Sequence, residues 1–162
     1  MIEIYKNLYI GSQIDFESKP NLFNDWFVVH ACKEPYHRNA LGYTGRAAPK
    51  DSPYYFFLYD HHNHLIMNIV DVNNPDFFND TMIDESLNYA INGLKSGKKV
   101  LIHCNQGESR APVIGLMVLR KMGIAPDDFD KAIDFIESVY ADFNPKQGIL
   151  EYAKNRWETL YN

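Results

Sequence analysis

The chain has 162 residues, 46% of them apolar and 14% aromatic, a length and composition that suit one globular domain over residues 1–162 with a substantial core. A net charge of −5 without any basic run excludes nucleic acid or an anionic membrane surface as the main partner. No apolar run is long enough to span a bilayer, and Met1-Ile2-Glu3-Ile4-Tyr5-Lys6 lacks the basic start and apolar core of a secretory leader, so a soluble, cytoplasmic and monomeric protein is expected.

Leu8-Tyr9-Ile10 with Gly11-Ser12 reads as a first strand and turn. After Pro20, the spacing of Leu22, Phe23 and Trp26 predicts a brief helix. Phe27-Val28-Val29-His30-Ala31 is a continuous apolar run ended by Cys32-Lys33-Glu34-Pro35, the pattern of a strand buried on both faces. From Lys33 to Ser52 the pattern is lost to Gly42, Gly45 and Pro49. A loop that long is uncommon unless functional or disordered. Its residues Tyr36, His37 and Arg38 are candidates for the border of a substrate entrance, with a plain solvated loop as the alternative.

Tyr54 to Tyr59 and His64 to Val70 are strand-like and flank the turn-rich Asp60-His61-His62-Asn63, which predicts a hairpin. His61, His62 and His64 are expected in water at its tip, and no recognised ligand spacing completes a metal site, so no metal is expected. Asp71-Val72-Asn73-Asn74-Pro75-Asp76 leaves the second strand as a loop. Ile83, Leu87, Ala90, Ile91 and Leu94 then recur at helical spacing up to Gly97, about four turns. Val100-Leu101-Ile102-His103 is a further strand. Beyond it, Val113, Ile114, Met117, Val118 and Met122 mark a helix closed by Gly123, and two more amphipathic helices start near Pro126 and Pro145. Strands alternating with helices predict an α/β fold. It should hold a central, mostly parallel or mixed sheet of about five strands flanked by helices, with an anion-binding loop between strand and helix.

That loop is Cys104-Asn105-Gln106-Gly107-Glu108-Ser109, with Arg110 opening the helix behind it. Successive backbone N–H groups curled around one centre, the positive end of a helix and a guanidinium make an oxyanion cradle. Gly107 permits a backbone angle that a side chain resists, and the planar fork of Arg110 can hold two phosphate oxygens at once. The same field favours a thiolate at Cys104. A structural disulfide with Cys32, the only other cysteine, would block that sulfur, so a reducing compartment fits.

His103, Cys104, Gly107, Ser109 and Arg110 reproduce an HC-x5-R pattern, and HCNQGESRAP resembles the signature of the cysteine-dependent protein tyrosine phosphatases, most closely their small dual-specificity branch. Rhodanese-like sulfur transferases also place a cysteine in an anion-binding loop, but His103 and Ser109 bring this loop nearer the phosphatase form. The resemblance implies that Cys104 attacks phosphorus to give a cysteinyl-phosphate, that Arg110 and the loop from Asn105 to Ser109 hold the phosphate, that Ser109 helps the thiolate leave, and that His103 steadies the loop. No cofactor is implied. It also implies a general acid: Asp71, about thirty residues before the cysteine, is favoured over Asp76, whose Asn74-Pro75-Asp76 mimics the acid loop of larger tyrosine phosphatases. In some relatives a second cysteine forms a reversible disulfide with the nucleophile; Cys32 is the candidate here, the alternative being a small buried hydrophobe. Asn105, Gln106 and Glu108 are the variable loop positions, and the charge of Glu108 disfavours polyanionic head groups. The expected partner is therefore a phosphoprotein carrying phosphotyrosine, with phosphoserine and phosphothreonine open. The rival readings are a catalytically silent phosphate-binding module and a phosphatase of non-protein phosphoesters.

Overall fold

A computed structural model describes residues 1–161. Its centre is a six-stranded sheet in the order β1-β2-β6-β3-β5-β4: β1 (Ile2–Tyr5), β2 (Leu8–Gly11), β3 (Phe27–His30), β4 (Phe57–Tyr59), β5 (Leu65–Met67) and β6 (Val100–His103). The four middle strands are parallel, and an antiparallel partner closes each edge, β1 on β2 and β4 on β5. Helices α1 (Gln13–Glu17), α2 (Arg38–Leu41), α3 (Asp80–Lys95), α4 (Arg110–Lys121), α5 (Phe129–Val139) and α6 (Gln147–Leu160) complete the α/β architecture.

The central strand β6 is buried at all four positions, because both faces of the sheet are covered. Val100 and Ile102 join Leu8, Ile10 and Val29 in the large core beneath α3, α4 and α6, whereas Leu101 points the other way, with Val28 and Phe23. Each such fully buried aliphatic side chain contributes about 1.5–3 kcal/mol. Local signals set the helix starts. Ser12 and Asp15 form a reciprocal capping box on α1, and the Asn79 side chain accepts from Met82 N–H to start α3.

Register is what builds the site. Gly11 pairs with His103, and His103 with His30, so three parallel strands end at one level. The chain leaves this carboxyl edge into loops, where α/β sheets place their ligands.

The hairpin of β4 and β5, the four-turn α3 and the three C-terminal helices follow the expected pattern. Several features differ. The sheet has a sixth strand, β1, which buries only Ile4 and so shows no apolar run. The last hairpin strand stops at Met67: the Ile69 carbonyl turns away to accept from Lys33 N–H and from Arg110. The long loop contains a π turn (Lys33–His37) and α2. His64, expected in water, is only 2% exposed, because the chain re-enters the sheet at Leu65 and folds that ring inward; His61 and His62 do remain exposed.

Candidate active site

Between β6 and α4 the sequence folds into a tight loop around Cys104. The residue is 2% exposed, and its sulfur accepts the Ala111 N–H at 3.4 Å, at the positive end of α4. Among the described residues, the backbone N–H groups of Asn105, Gln106, Gly107, Glu108 and Ser109 donate to no protein acceptor. Five free amides in a row beside a helix N-terminus constitute an anion site. The loop is held from outside instead. Tyr140 Oη donates to Gly107 O at 2.7 Å, Asn144 N–H to Glu108 O at 2.9 Å, and Asn105 Nδ2 to Glu34 O at 2.8 Å. Gly107 has φ +76°, and a Cβ there would meet the Gly11 carbonyl oxygen at 2.9 Å, so only glycine fits.

Arg110 is 8% exposed. Its terminal nitrogens donate to Ile69 O at 3.1 Å and Asn105 Oδ1 at 2.6 Å, which lock the plane of the guanidinium. Its Nε is the one buried side-chain nitrogen or oxygen without a partner among the described residues. A buried donor left unpaired costs about 1–3 kcal/mol, and an oxyanion in the cradle would satisfy it.

Cys104, Asn105, Gln106, Glu108, Ser109 and Arg110 line one cleft of about 350 Å³, together with Asp71 across the opening. Ser109 Oγ donates to Asp71 Oδ1 at 3.0 Å and accepts from Lys146 N–H at 2.9 Å. The serine thus tethers the carboxylate and the start of α6 to the loop; its hydroxyl makes no cap bond to α4. Asp76 lies exposed on a 3-10 turn, its N–H bound to Asn74 Oδ1, and does not line the cleft. Close packing of α6 on the Asp71 loop fixes this arrangement: a Cβ at Gly148 would stand 2.0 Å from Val72 O.

His103 donates from Nδ1 to Cys104 O at 3.2 Å, and burial holds its pKa at about 4. A neutral ring with that bond ties the end of β6 to the start of the loop. Cys32 is fully buried; burial, against a smaller lowering by Arg110, pushes its thiol up to about 12. Such a thiol behaves as a small apolar group.

Tyr36 and Arg38 do not line the cleft, which corrects their placement at a substrate entrance. Tyr36 stacks on His30 and donates to Glu17 Oε1 at 2.8 Å. Arg38 pairs with Glu34 and donates to Tyr43 O and Gly45 O, so both clamp their own loop. Conversely, Asn144 and Lys146 line the cleft although nothing in the sequence singles them out. Their only signal is a polar turn with Pro145 ahead of a helix, and just the folded chain brings α6 to a loop some forty residues away.

No family model and no curated protein matches the sequence. Solved structures do. Human DUSP28 superposes with a TM-score of 0.67 at 14% identity, over 99% of this chain and 97% of that one. The PTP-2 phosphatase of Cydia pomonella gives 0.66 at 19% identity over 96% and 88%. The human tyrosine phosphatase-like serine/threonine/tyrosine-interacting protein gives 0.64 at 16% identity over 96% and 93%. The chain therefore has the fold of the dual-specificity phosphatases.

Proposed function

We propose that this protein is a phosphatase that hydrolyses phosphomonoesters through a cysteinyl-phosphate, with phosphotyrosine in proteins as its substrate class. The observation that carries the reading is the joint presence, in one cleft, of Cys104, five free loop amides, the unpartnered Nε of Arg110 and the carboxyl group of Asp71.

In the first step Cys104 Sγ attacks phosphorus as the bond to the leaving oxygen breaks, and Asp71 gives that oxygen a proton. Loop amides and Arg110 hold the equatorial oxygens, where charge stabilisation matters most. In the second step Asp71 takes a proton from water, water attacks phosphorus, and the sulfur departs. Ser109 orients Asp71 for both steps, a role that its hydrogen bond supports; donation to the departing sulfur needs its hydroxyl to turn.

Glu108 in the cleft opposes multiply phosphorylated ligands. A second substrate class has one observation in its favour. The cleft's lining is wholly polar apart from Cys104, and it includes the cation Lys146, which suits a small polar phosphoester as well as a phenyl ring. Hydrolysis of p-nitrophenyl phosphate and of phosphotyrosine peptides, with chelator present, tests the reading. Turnover should vanish in Cys104→Ser, and phosphopeptides should outpace inositol phosphates. Wild-type turnover by Cys104→Ser would refute the mechanism, phosphopeptide binding without turnover would make the protein a binding module, and the reverse substrate ranking would overturn the substrate class.

A further inference from the structure

Behind the cleft, three imidazoles form a continuous chain. His30 Nδ1 lies 2.6 Å from His103 Nε2, and His30 Nε2 lies 3.3 Å from His64 Nδ1. Carbonyl oxygens bound both ends, Cys104 O at 3.2 Å from His103 Nδ1 and Phe23 O at 3.0 Å from His64 Nε2. Carbonyls only accept, so these two contacts fix the outer tautomers: His103 carries its proton on Nδ1 and His64 on Nε2. His103 Nε2 must then accept, and His30 donates to it from Nδ1. A neutral His30 is left with a lone pair on Nε2, and a neutral His64 with one on Nδ1. These two lone pairs face each other.

Four contacts need four protons, and three neutral imidazoles supply three. The deficit falls in the 3.3 Å gap between His30 and His64, which is long for a hydrogen bond. It lies instead at the separation of about 3.3–3.4 Å that two imidazole nitrogens adopt when each is 2.0–2.1 Å from one tetrahedral Zn²⁺. Asp60 supplies the third donor: its Oδ2 is 3.9 Å from His64 Nδ1, and single ligand atoms of His30, Asp60 and His64 all lie within 4.8 Å of one another. Its other oxygen, Oδ1, accepts the N–H groups of His62 and His64 at 2.8 and 3.0 Å, which aims the carboxylate at the gap.

We propose that His30 Nε2, His64 Nδ1 and Asp60 form a binding site for a divalent transition cation of the Zn²⁺ class, on the far side of His103 from the catalytic cysteine. Each histidine donates its other N–H to a fixed acceptor, the outer-shell support that metal-binding imidazoles require. Both histidines are 2% exposed, so a doubly charged ion gains more from them than it would from ligands in water. A cavity of about 200 Å³ bordered by Asn21, Asn24, Tyr36 and His62 adjoins them and gives the ion a path and room for a water as fourth ligand. The site lies outside the cleft, so it stands or falls apart from the phosphatase reading.

The test uses the full chain with Cys104→Ser, which removes a competing sulfur ligand. Metal-stripped protein is titrated with Zn²⁺ by calorimetry and with Co²⁺ by visible absorption. The expected result is one equivalent of Zn²⁺, a raised Tm, and cobalt d–d bands of a four- or five-coordinate site. Asp60→Asn keeps an oxygen for the two hairpin N–H groups and should weaken Zn²⁺ by at least about 10-fold; His64→Gln should abolish stoichiometric binding. His61→Asn, in the exposed tip, should leave affinity unchanged. Absence of stoichiometric Zn²⁺ binding, Asp60→Asn binding as tightly as the parent, or loss of the site with His61→Asn would each overturn the proposal. If His64→Gln fails to fold, Asp60→Asn alone decides.

Discussion

Gly107→Ala tests whether the loop is held by its backing. The residue has φ +76°, which costs an alanine about 1–2 kcal/mol. Its new Cβ would stand 2.9 Å from Gly11 O and 3.1 Å from Tyr140 Oη. Gly11 cannot yield easily, because its carbonyl also accepts the Cys104 N–H. The Tyr140 hydroxyl must give way, with loss of a hydrogen bond worth about 0.5–1.5 kcal/mol, so the whole loss should be about 1.5–3.5 kcal/mol. Gly42→Ala is the control: that residue has φ +78° but nothing within 4 Å of its Cβ, so it should lose only the backbone part, about 1–2 kcal/mol. Urea unfolding of the three proteins measures the difference. Inhibition by vanadate, which occupies a phosphate cradle, reports the geometry, and it should weaken in Gly107→Ala while Gly42→Ala matches the wild type. Equal stability losses, or unchanged vanadate affinity in Gly107→Ala, would refute the argument that Gly11 and Tyr140 shape the cradle.

Asp71→Asn should lower kcat by about 10²–10⁴-fold, the usual yield of general acid–base catalysis, while Asp76→Asn, exposed and off the cleft, leaves it unchanged. The opposite result would exchange their roles. Arg38→Ala should leave kcat/KM on phosphopeptides unchanged but speed proteolysis between Tyr43 and Lys50, since it frees the carbonyls of Tyr43 and Gly45 that the guanidinium holds; a kinetic defect with an intact loop would restore it to the substrate entrance. Iodoacetamide near neutral pH should modify Cys104, which lines the open cleft, and spare Cys32, which does not line it and whose thiol is pushed up to about 12, as peptide mass spectrometry would show. Labelling of Cys32 in the folded state would contradict its buried, un-ionised state.

The Cys104 loop is legible in the sequence because an anion cradle needs contiguous residues: a cysteine at a strand end, amides in a row, and an arginine at the helix start. Asp71 is legible for a related reason, since a βα unit returns the end of one strand to the edge of the next. Contacts fixed by register are not legible. Nothing local to Gly11, His30 or His103 shows that they end side by side. Lys146 reaches the cleft only because Gly148 lets α6 close on Val72. Arg38 misleads because a basic residue in a Gly- and Pro-rich stretch looks free to meet a phosphate, while its partner Glu34 sits four residues away on a turn that no periodicity marks. His64 misleads for the opposite reason. A polar hairpin tip implies water, but the ring lies one residue before Leu65, where the strand re-enters the core.

These register contacts explain how the cradle can be both open and stiff. A loop whose amides are reserved for an anion cannot use them to hold itself, so its rigidity must come through carbonyls and side chains from other elements. Here Gly107 O is taken by Tyr140, Glu108 O by Asn144, Cys104 O by His103 and Asn105 O by Gln13 N–H. Each carbonyl points outward to a partner while the amide on the other side of the peptide plane points inward, as a curled backbone requires. His103 is the member of this set that leads deeper, because its second nitrogen is bound to His30. The imidazole chain is thus the inner end of the scaffold that holds Cys104 in place, and a cation between His30 and His64 would fix the end of that chain which the outer carbonyls leave one proton short.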